Sequence, residues 1–265
     1  MTTTPSTVTE ETVEVAGASV HVRRGGNGEP LLILHGELGV PGWLRAHEAL
    51  AQHYAVHVPT LPGFGASSEA SWMMGVRDMA AWVSWFVRDY GLPAPVNVVA
   101  HSLGGWLAAE IAAANAAIFK KMVLVAPAGL KPRQGEIYDY FMHSAKDAFR
   151  DAFVDPPRVP EYAEYYDRDW TPEEAEAVEN NREMTSRLTW RPYMHSLTLH
   201  ELLPAIATPT LLVWGRQDAI VPIDSCEQYQ QGIAGATTAI IDDCGHLPEM
   251  EQTDRFVDAI TSFLG

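Results

Sequence analysis

Short apolar runs, each the length of a buried strand, alternate along this chain with segments of helical character. The strand-like runs cover residues 31–34, 54–58, 96–100, 121–126, 208–215 and 236–242. Between two of them, Met79, Trp82, Val83 and Phe86 recur at helical spacing. Strands that alternate with helices run parallel, and parallel sheets are covered on both faces. The pattern therefore predicts an α/β fold with a mostly parallel, doubly covered sheet. The Thr- and Glu-rich first 15 residues or so are expected to be irregular.

The alternation stops between residues 131 and 200. This segment has no apolar strand, yet it holds 11 aromatic residues among many acids. We predict that residues 131–200 form an inserted helical cap, called the cap segment below. Residues 1–130 and 201–265 are then predicted to form one α/β core. Within the cap segment, residues 151–183 carry 11 Asp and Glu against three Arg, which is typical of a solvated acidic face.

Composition restricts the partners of the chain. A net charge of -16 argues against nucleic acid and against an anionic membrane surface. No apolar run approaches the roughly 18 residues that span a bilayer, and no secretory signal is evident, so we expect a cytoplasmic protein that acts on a small molecule. Cys226 and Cys244 match no metal spacing and are expected to be unpaired in a reducing cytosol. The segment "LHELL" lacks the second histidine of a zinc-protease motif. We therefore predict no metal and no cofactor. Oligomeric state stays open.

The segment "VVAHSLGGWLAAE" places a serine, Ser102, between a predicted strand and a predicted helix. A sharp turn there would lift the Ser102 hydroxyl clear of the backbone at the carboxyl edge of the sheet, where open α/β sheets bind ligands. The free N–H groups at the start of the helix would face an anion forming on a bound substrate. Gly104 and Gly105 would let the helix approach the sheet closely. The pattern indicates a serine presented for nucleophilic attack.

"AHSLGG" resembles the G-x-S-x-G nucleophile elbow of the α/β-hydrolase superfamily, with Ala100 in place of the first glycine. The resemblance covers nearly the whole chain. It implies a second and a third catalytic residue in the order Ser, Asp or Glu, His. Asp218, after "LLVWGRQ", resembles the family's acid, and His246, in "DCGHLPE", resembles its histidine. Asp242 and Asp243 are alternative acids, but their spacing to His246 differs from that of the family.

The resemblance also implies an oxyanion hole made by two backbone N–H groups. In "LHGELG" the His35-Gly36 pair looks like the family's usual opening, which assigns one donor to Glu37 and the other to Leu103. A carboxylate turned inward at Glu37 would oppose the anion. We therefore expect this side chain to point away or to bond locally, with contact to a polar substrate group as the alternative. His35 and His101 are expected to be structural.

Three aromatic residues are candidates for substrate binding: Trp106, four residues after Ser102, and Trp190 and Tyr193 in the cap segment. Packing between cap and sheet is the alternative for each. The expected activity is that of a serine hydrolase that cleaves a small or medium carboxylic ester through an acyl-enzyme. One alternative is a meta-cleavage C–C bond hydrolase with the same triad, which would need cationic residues such as Arg187 and Arg191. A non-turnover ligand receptor is the alternative of another class.

Overall fold

A computed structural model describes residues 6–265. Its centre is an eight-stranded sheet. The strands are β1 (Thr9–Val15), β2 (Ala18–Gly25), β3 (Glu29–Leu34), β4 (Tyr54–Pro59), β5 (Val96–His101), β6 (Phe119–Val125), β7 (Thr210–Gly215) and β8 (Thr237–Ile241). Their order across the sheet is β1-β2-β4-β3-β5-β6-β7-β8. All pairings among β3 to β8 are parallel, whereas β1 pairs with β2, and β2 with β4, in antiparallel register. The predicted mostly parallel sheet is confirmed.

The irregular start expected from the sequence is wrong for residues 9–15. These residues form β1, whose register pairs Thr9 with Arg24 and Val15 with Ala18 of β2. Most of β1 is exposed, so the apolar alternation that reveals a half-buried strand is missing. Backbone pairing at the edge of the sheet holds the strand. Residues 1–5 of the expected irregular segment lie outside the described residues.

Helices cover both faces of the sheet. They are α1 (Arg45–Ala51), α2 (Val76–Asp89), α3 (Leu103–Ala114), α4 (Ala145–Asp151), α5 (Pro172–Thr189), α6 (Leu199–Leu202), α7 (Asp224–Gly232), α8 (Pro248–Glu251) and α9 (Thr253–Leu264). Side chains of β5 alternate between two apolar clusters: Val98 and Ala100 pack with α2 and α3, and Val99 packs with α1 and α9. This arrangement is the doubly covered sheet that the sequence predicted.

The chain between β6 and β7 forms helices and turns but no strand of the sheet; that residues 131–200 act as a cap stays a prediction. Helix α5 begins with a capping box, in which Thr171 Oγ1 accepts from the Glu174 N–H and the Glu174 carboxylate accepts from the Thr171 N–H. Asn181 on α5 then bonds to two core loops, donating to the Leu38 carbonyl at 2.9 Å and accepting from the Gly65 N–H at 2.8 Å. The cap segment is thereby attached to the loop that follows β3.

Two further features bear on the sequence expectations. Cys226 and Cys244 are both buried and unpaired. Within residues 6–265, no helix is long and apolar enough to cross a membrane.

Candidate active site

Ser102 stands at a strained turn between β5 and α3. Its backbone has φ 47° and ψ -111°, a conformation that non-glycine residues rarely adopt. Three backbone hydrogen bonds hold it there. The Ser102 N–H donates to the Val125 carbonyl, and the Ser102 carbonyl accepts from the N–H groups of Trp106 at 3.0 Å and Ala128 at 3.1 Å. Backbone strain of this kind costs on the order of 1–3 kcal/mol, and it persists where surrounding structure enforces it.

Glycines make the turn possible by removing side chains from it. A Cβ on Gly104 would lie 2.6 Å from the backbone oxygens of Leu34 and His35, and a Cβ on Gly105 would lie 2.7 Å from Pro127. Both distances are shorter than van der Waals contact allows. The close approach of α3 to the sheet, which the two glycines indicated, is therefore a property of the fold.

His246 and Asp218 meet in the protein interior. The loops after β7 and β8 carry them, and His246 Nδ1 lies 2.8 Å from Asp218 Oδ2, with both side chains fully buried. The other oxygen of Asp218 accepts from the N–H groups of Ile220 and Val221 at 2.8 and 2.9 Å. Asp218 therefore fixes the orientation of the imidazole. The two alternative acids do not take this place: Asp242 pairs with Arg216, and the His246 ring bonds to Asp218 and not to Asp243.

The backbone of His246 is also held from two sides. Its N–H donates to the Ala152 carbonyl, just after α4, at 2.7 Å. Its carbonyl bonds to His101 Nε2 at 2.8 Å. His101 thus supports the histidine loop, in line with its expected structural role. His35 is structural in the same sense, since its Nε2 accepts from the Leu61 N–H at 2.9 Å and burial lowers its pKa to about 4.

The side chain of Glu37 points into the site, so the expectation that it turns away is wrong. One carboxylate oxygen accepts from the Leu103 N–H at 3.4 Å. The other accepts a short hydrogen bond from the Tyr140 hydroxyl and lies 3.6 Å from His246 Nε2. The reason is burial: Glu37 is 3% exposed, and a buried carboxylate must find donors and positive charge. Here the inward direction supplies both.

This position of Glu37 occupies the predicted oxyanion hole. The Leu103 N–H, one of its two expected donors, faces the Glu37 carboxylate. Among the described residues, neither Ser102 Oγ nor His246 Nε2 has a hydrogen-bond partner. The structure thus brings together Ser102, Asp218 and His246 with the two residues of the predicted oxyanion hole, Glu37 and Leu103. It also places a carboxylate at the Leu103 N–H and shows no hydrogen bond between Ser102 Oγ and His246 Nε2.

The electrostatics of His246 follow from its two acidic neighbours. Burial alone would lower the pKa of His246, but Asp218 and Glu37 outweigh it and raise the pKa to about 10. Burial would raise the pKa of the Glu37 carboxyl, yet contact with His246 holds it far below its usual value. At neutral pH the arrangement is therefore an imidazolium between two carboxylates.

Tyr140 is the site residue that the sequence did not reveal. It lies before α4 and is 3% exposed; burial and the Glu37 carboxylate hold the pKa of its phenol well above the usual range. Its N–H donates to the Tyr193 hydroxyl at 3.0 Å. The only sequence signal is the aromatic segment "IYDYF", which does not say which tyrosine turns inward.

A cavity beneath the cap segment ends at Glu37. It is lined by Glu37, Leu38, Tyr140, Phe141, Ala145, Ala148, Phe149, Val178, Asn181, Arg182 and Thr185. None of the three predicted substrate-binding residues lines it. Trp106 is buried and donates from its indole N–H to Glu110 at 3.3 Å. Trp190 is 54% exposed, and the Tyr193 hydroxyl accepts from the Tyr140 N–H. Their role in substrate binding stays a prediction.

The mostly parallel eight-stranded sheet with helices on both faces is the architecture of an α/β hydrolase, and comparison with known proteins agrees. The family model of the alpha/beta hydrolase fold matches residues 29–253. The chain belongs to this family.

Individual relatives differ in what they are named for. The chain is 28% identical over 257 residues to the dihydrolipoyllysine-residue acetyltransferase component of an acetoin cleaving system from Cupriavidus necator, covering 92% of this chain and 66% of that protein. It is 24% identical over 277 residues to a 2-hydroxy-6-oxo-6-(2'-aminophenyl)hexa-2,4-dienoic acid hydrolase from Metapseudomonas resinovorans (98% and 92% covered). It is 26% identical over 256 residues to a pimeloyl-[acyl-carrier protein] methyl ester esterase from Nitrosomonas europaea (91% and 97% covered).

Solved structures show the same architecture. The crystal structure of a protein described as a membrane phospholipase A superposes with a TM-score of 0.82 at 26% identity, covering 97% of this chain and 86% of that one. A 2-hydroxy-6-oxo-6-phenylhexa-2,4-dienoate hydrolase from Rhodococcus sp. strain RHA1 superposes with a TM-score of 0.78 at 19% identity, covering 98% and 99%. The latter likeness concerns the fold alone.

Proposed function

We propose that the protein is a serine hydrolase that cleaves a small or medium carboxylic ester through an acyl-enzyme, with Ser102, His246 and Asp218 as its triad. The observation that carries the proposal is the fully buried pair of His246 and Asp218, 2.8 Å apart, in a site that also receives the strained turn of Ser102. Serine, base and orienting acid each follow a parallel strand of the sheet at its carboxyl end.

In the proposed reaction, His246 Nε2 accepts the hydroxyl proton as Ser102 Oγ bonds to the carbonyl carbon of the ester. The carbonyl electron pair moves to oxygen, and the N–H groups of Leu103 and Glu37 stabilise the resulting anion. When the intermediate collapses, the C–O bond to the alcohol breaks and the alcohol takes the proton from His246. Water then attacks the acyl-enzyme by the same proton transfers and releases the acid and free Ser102.

Turnover requires two rearrangements of this structure. Ser102 and His246 have no exposed surface, so the cap segment must move to admit a substrate. The Glu37 carboxylate must also release the Leu103 N–H, because the oxyanion needs that donor. Both changes involve Tyr140, which connects the cap segment to Glu37.

The esterase named among the relatives supports ester cleavage as the activity. Two other relatives are named as hydrolases of dienoic acids or dienedioates, which makes C–C bond hydrolysis the second candidate. Such substrates are anionic, and a buried Glu37 carboxylate repels them. Arg187, a cation that they would need, is engaged with Glu69 at 2.5 Å and with Glu183 at 3.4 Å. Ester cleavage is therefore the better supported of the two.

The test is labelling with a fluorophosphonate, read by intact mass, together with turnover of p-nitrophenyl esters of increasing chain length. One adduct is expected on the wild type and none on Ser102→Ala. Ser225→Ala is the matched control, because Ser225 is buried, lies on α7 and has no hydrogen-bond partner for its hydroxyl among the described residues. Esterase activity that survives Ser102→Ala would refute the proposal.

The same preparation separates the alternatives. Loss of the visible absorbance of a meta-ring-fission product, without ester turnover, would favour C–C hydrolysis. Tight ligand binding without an adduct or a product would favour a receptor.

A further inference from the structure

Glu37 links the predicted triad to the cavity beneath the cap segment. On one side its carboxylate lies 3.6 Å from His246 Nε2 and 3.4 Å from the Leu103 N–H. On the other side it forms part of the cavity wall beside Tyr140. A molecule that fills this cavity therefore contacts a buried carboxylate.

The Glu37 side chain is restrained from leaving the site by its own loop. The Glu37 carbonyl accepts from Thr185 Oγ1 of α5 at 3.3 Å, and the Leu38 carbonyl accepts from Asn181 at 2.9 Å. Before it, a Cβ on Gly36 would lie only 3.0 Å from the Cβ of Ser102. The loop is packed between α5 and the elbow, so the carboxylate can shift locally but stays at the site.

The positive partner of Glu37 disappears when the base works. A general base must be neutral, and a neutral His246 leaves the Asp218 and Glu37 carboxylates without an imidazolium between them. Asp218 keeps two backbone donors, whereas Glu37 keeps the Tyr140 phenol and one long contact to an amide. A buried carboxylate that loses its cation is strongly destabilised. For the same reason the two carboxylates stabilise the imidazolium and raise the pKa of His246 to about 10.

Within residues 6–265, the two basic side chains beside the site do not meet this demand. Arg182 also lines the cavity, but its guanidinium lies 3.7 Å from the Glu179 carboxylate and donates to the His143 carbonyl at 3.3 Å. His101 Nε2 is bonded to the backbone of His246. Neither contacts Glu37 in the structure.

We infer that the substrate supplies the missing charge: it is an acyl compound with a protonated amine near the scissile carbonyl, and Glu37 binds that ammonium group. This inference rests on the proposed serine hydrolase function. An ammonium on Glu37 replaces the proton of His246 as the partner of the carboxylate, which frees His246 to accept the proton of Ser102. It also moves the carboxylate off the Leu103 N–H, which the oxyanion requires. Ala145, Ala148, Phe149 and Val178 form apolar walls of the small cavity beside Glu37, which must widen to take the body of the substrate.

The test compares three p-nitrophenyl esters of similar chain length: the ester of β-alanine with an ammonium end, the neutral butanoate and the anionic hemisuccinate. For the wild type we expect kcat/KM to be at least tenfold higher for the ammonium ester than for butanoate, and lowest for hemisuccinate. Glu37→Gln should reduce the ratio of ammonium ester to butanoate at least tenfold. Glu37→Asp keeps the charge and should keep the order of preference, which also decides the matter if the glutamine variant fails to fold.

The matched control is Glu110→Gln. Glu110 is a buried carboxylate on α3, the helix that follows the elbow, and it bonds to Arg77 and Trp106 rather than to the site. Its replacement should leave the ester ratios unchanged. A wild type with no preference for the ammonium ester, or a preference that survives Glu37→Gln, overturns the inference.

A binding measurement separates this inference from the proposed chemistry. On Ser102→Ala, calorimetry should show the ethyl ester of β-alanine binding at least tenfold more tightly than ethyl butanoate, and the added Glu37→Gln change should abolish the difference. If Ser102 proves not to be a nucleophile, the proposed function fails, but this comparison still decides whether Glu37 binds a cation. Equal binding of the two esters refutes it.

Discussion

Replacing Glu37 by glutamine should increase the fraction of His246 that is neutral, and can therefore act as a base, at neutral pH. The variant removes one of two negative charges beside the imidazole and keeps the shape of the side chain. Because negative neighbours stabilise the imidazolium, their removal lowers the pKa of His246. The acid limb of the pH profile should therefore move to lower pH, and turnover of a neutral ester at pH about 7 should rise.

The size of the shift follows from the distance. Charges 3.6 Å apart interact by about 1 kcal/mol in a water-like medium and by about 4–5 kcal/mol at an effective dielectric constant of about 20. At about 1.4 kcal/mol for each pKa unit, this is roughly one to three units. A fall of that size brings the pKa of His246 back toward the neutral range.

The assay is kcat/KM for p-nitrophenyl butanoate across the neutral and alkaline range, with the imidazole of His246 followed by nitrogen NMR in parallel. The butanoate has no charge, so the effect of substrate charge does not enter. Glu110→Gln, the buried carboxylate away from the site, should leave the profile in place. An acid limb that stays where it is, or moves to higher pH, would refute the electrostatic reasoning.

Three further outcomes are expected. The pKa of His246 is raised from 6.5 to about 10 on folding, so its contribution to stability is complete below pH about 6.5 and is lost as pH rises toward 10; thermal melting should show this decline, and Glu37→Gln should lessen it. Arg45→Ala should lower the free energy of unfolding by roughly 1–3 kcal/mol in denaturant titrations, because it leaves the buried Glu161 carboxylate without its 2.8 Å partner, and an unchanged midpoint would contradict this. Gly104→Ala should abolish activity and lower the melting temperature, because its Cβ meets two backbone oxygens at 2.6 Å, whereas Gly75→Ala, with open space around the Cβ, should do neither.

The placement of the predicted triad could be argued from sequence because it depends on topology. Ser102, Asp218 and His246 each follow an apolar run, and parallel strands end at one edge of the sheet. Local patterns therefore sufficed to bring together residues that lie far apart in the chain. Gly104 and Gly105 were also informative. Two residues without side chains directly after Ser102 indicate that α3 lies close against the sheet.

The direction of Glu37 could not be obtained in this way. It depends on Tyr140 and His246, which come from the cap segment and from the loop after β8, and no periodicity links the three. The repulsion between the Glu37 carboxylate and an oxyanion arises only in the transition state, so it does not set the direction of the side chain in the folded protein. In the structure Glu37 faces His246, whose pKa the two carboxylates raise, and the phenol of Tyr140, and these partners determine its position.

The conflict at Glu37 is itself informative about the substrate. A hydrolase of neutral esters gains nothing from a buried carboxylate at its oxyanion hole: the charge must be desolvated, it raises the pKa of the base, and it competes for the Leu103 N–H. An amide or apolar side chain at position 37 would avoid all three penalties. Sequences tend to break such local rules where function requires it. A carboxylate that hinders catalysis when the site is empty, and helps it only when a cation is bound, makes turnover conditional on the charge of the substrate.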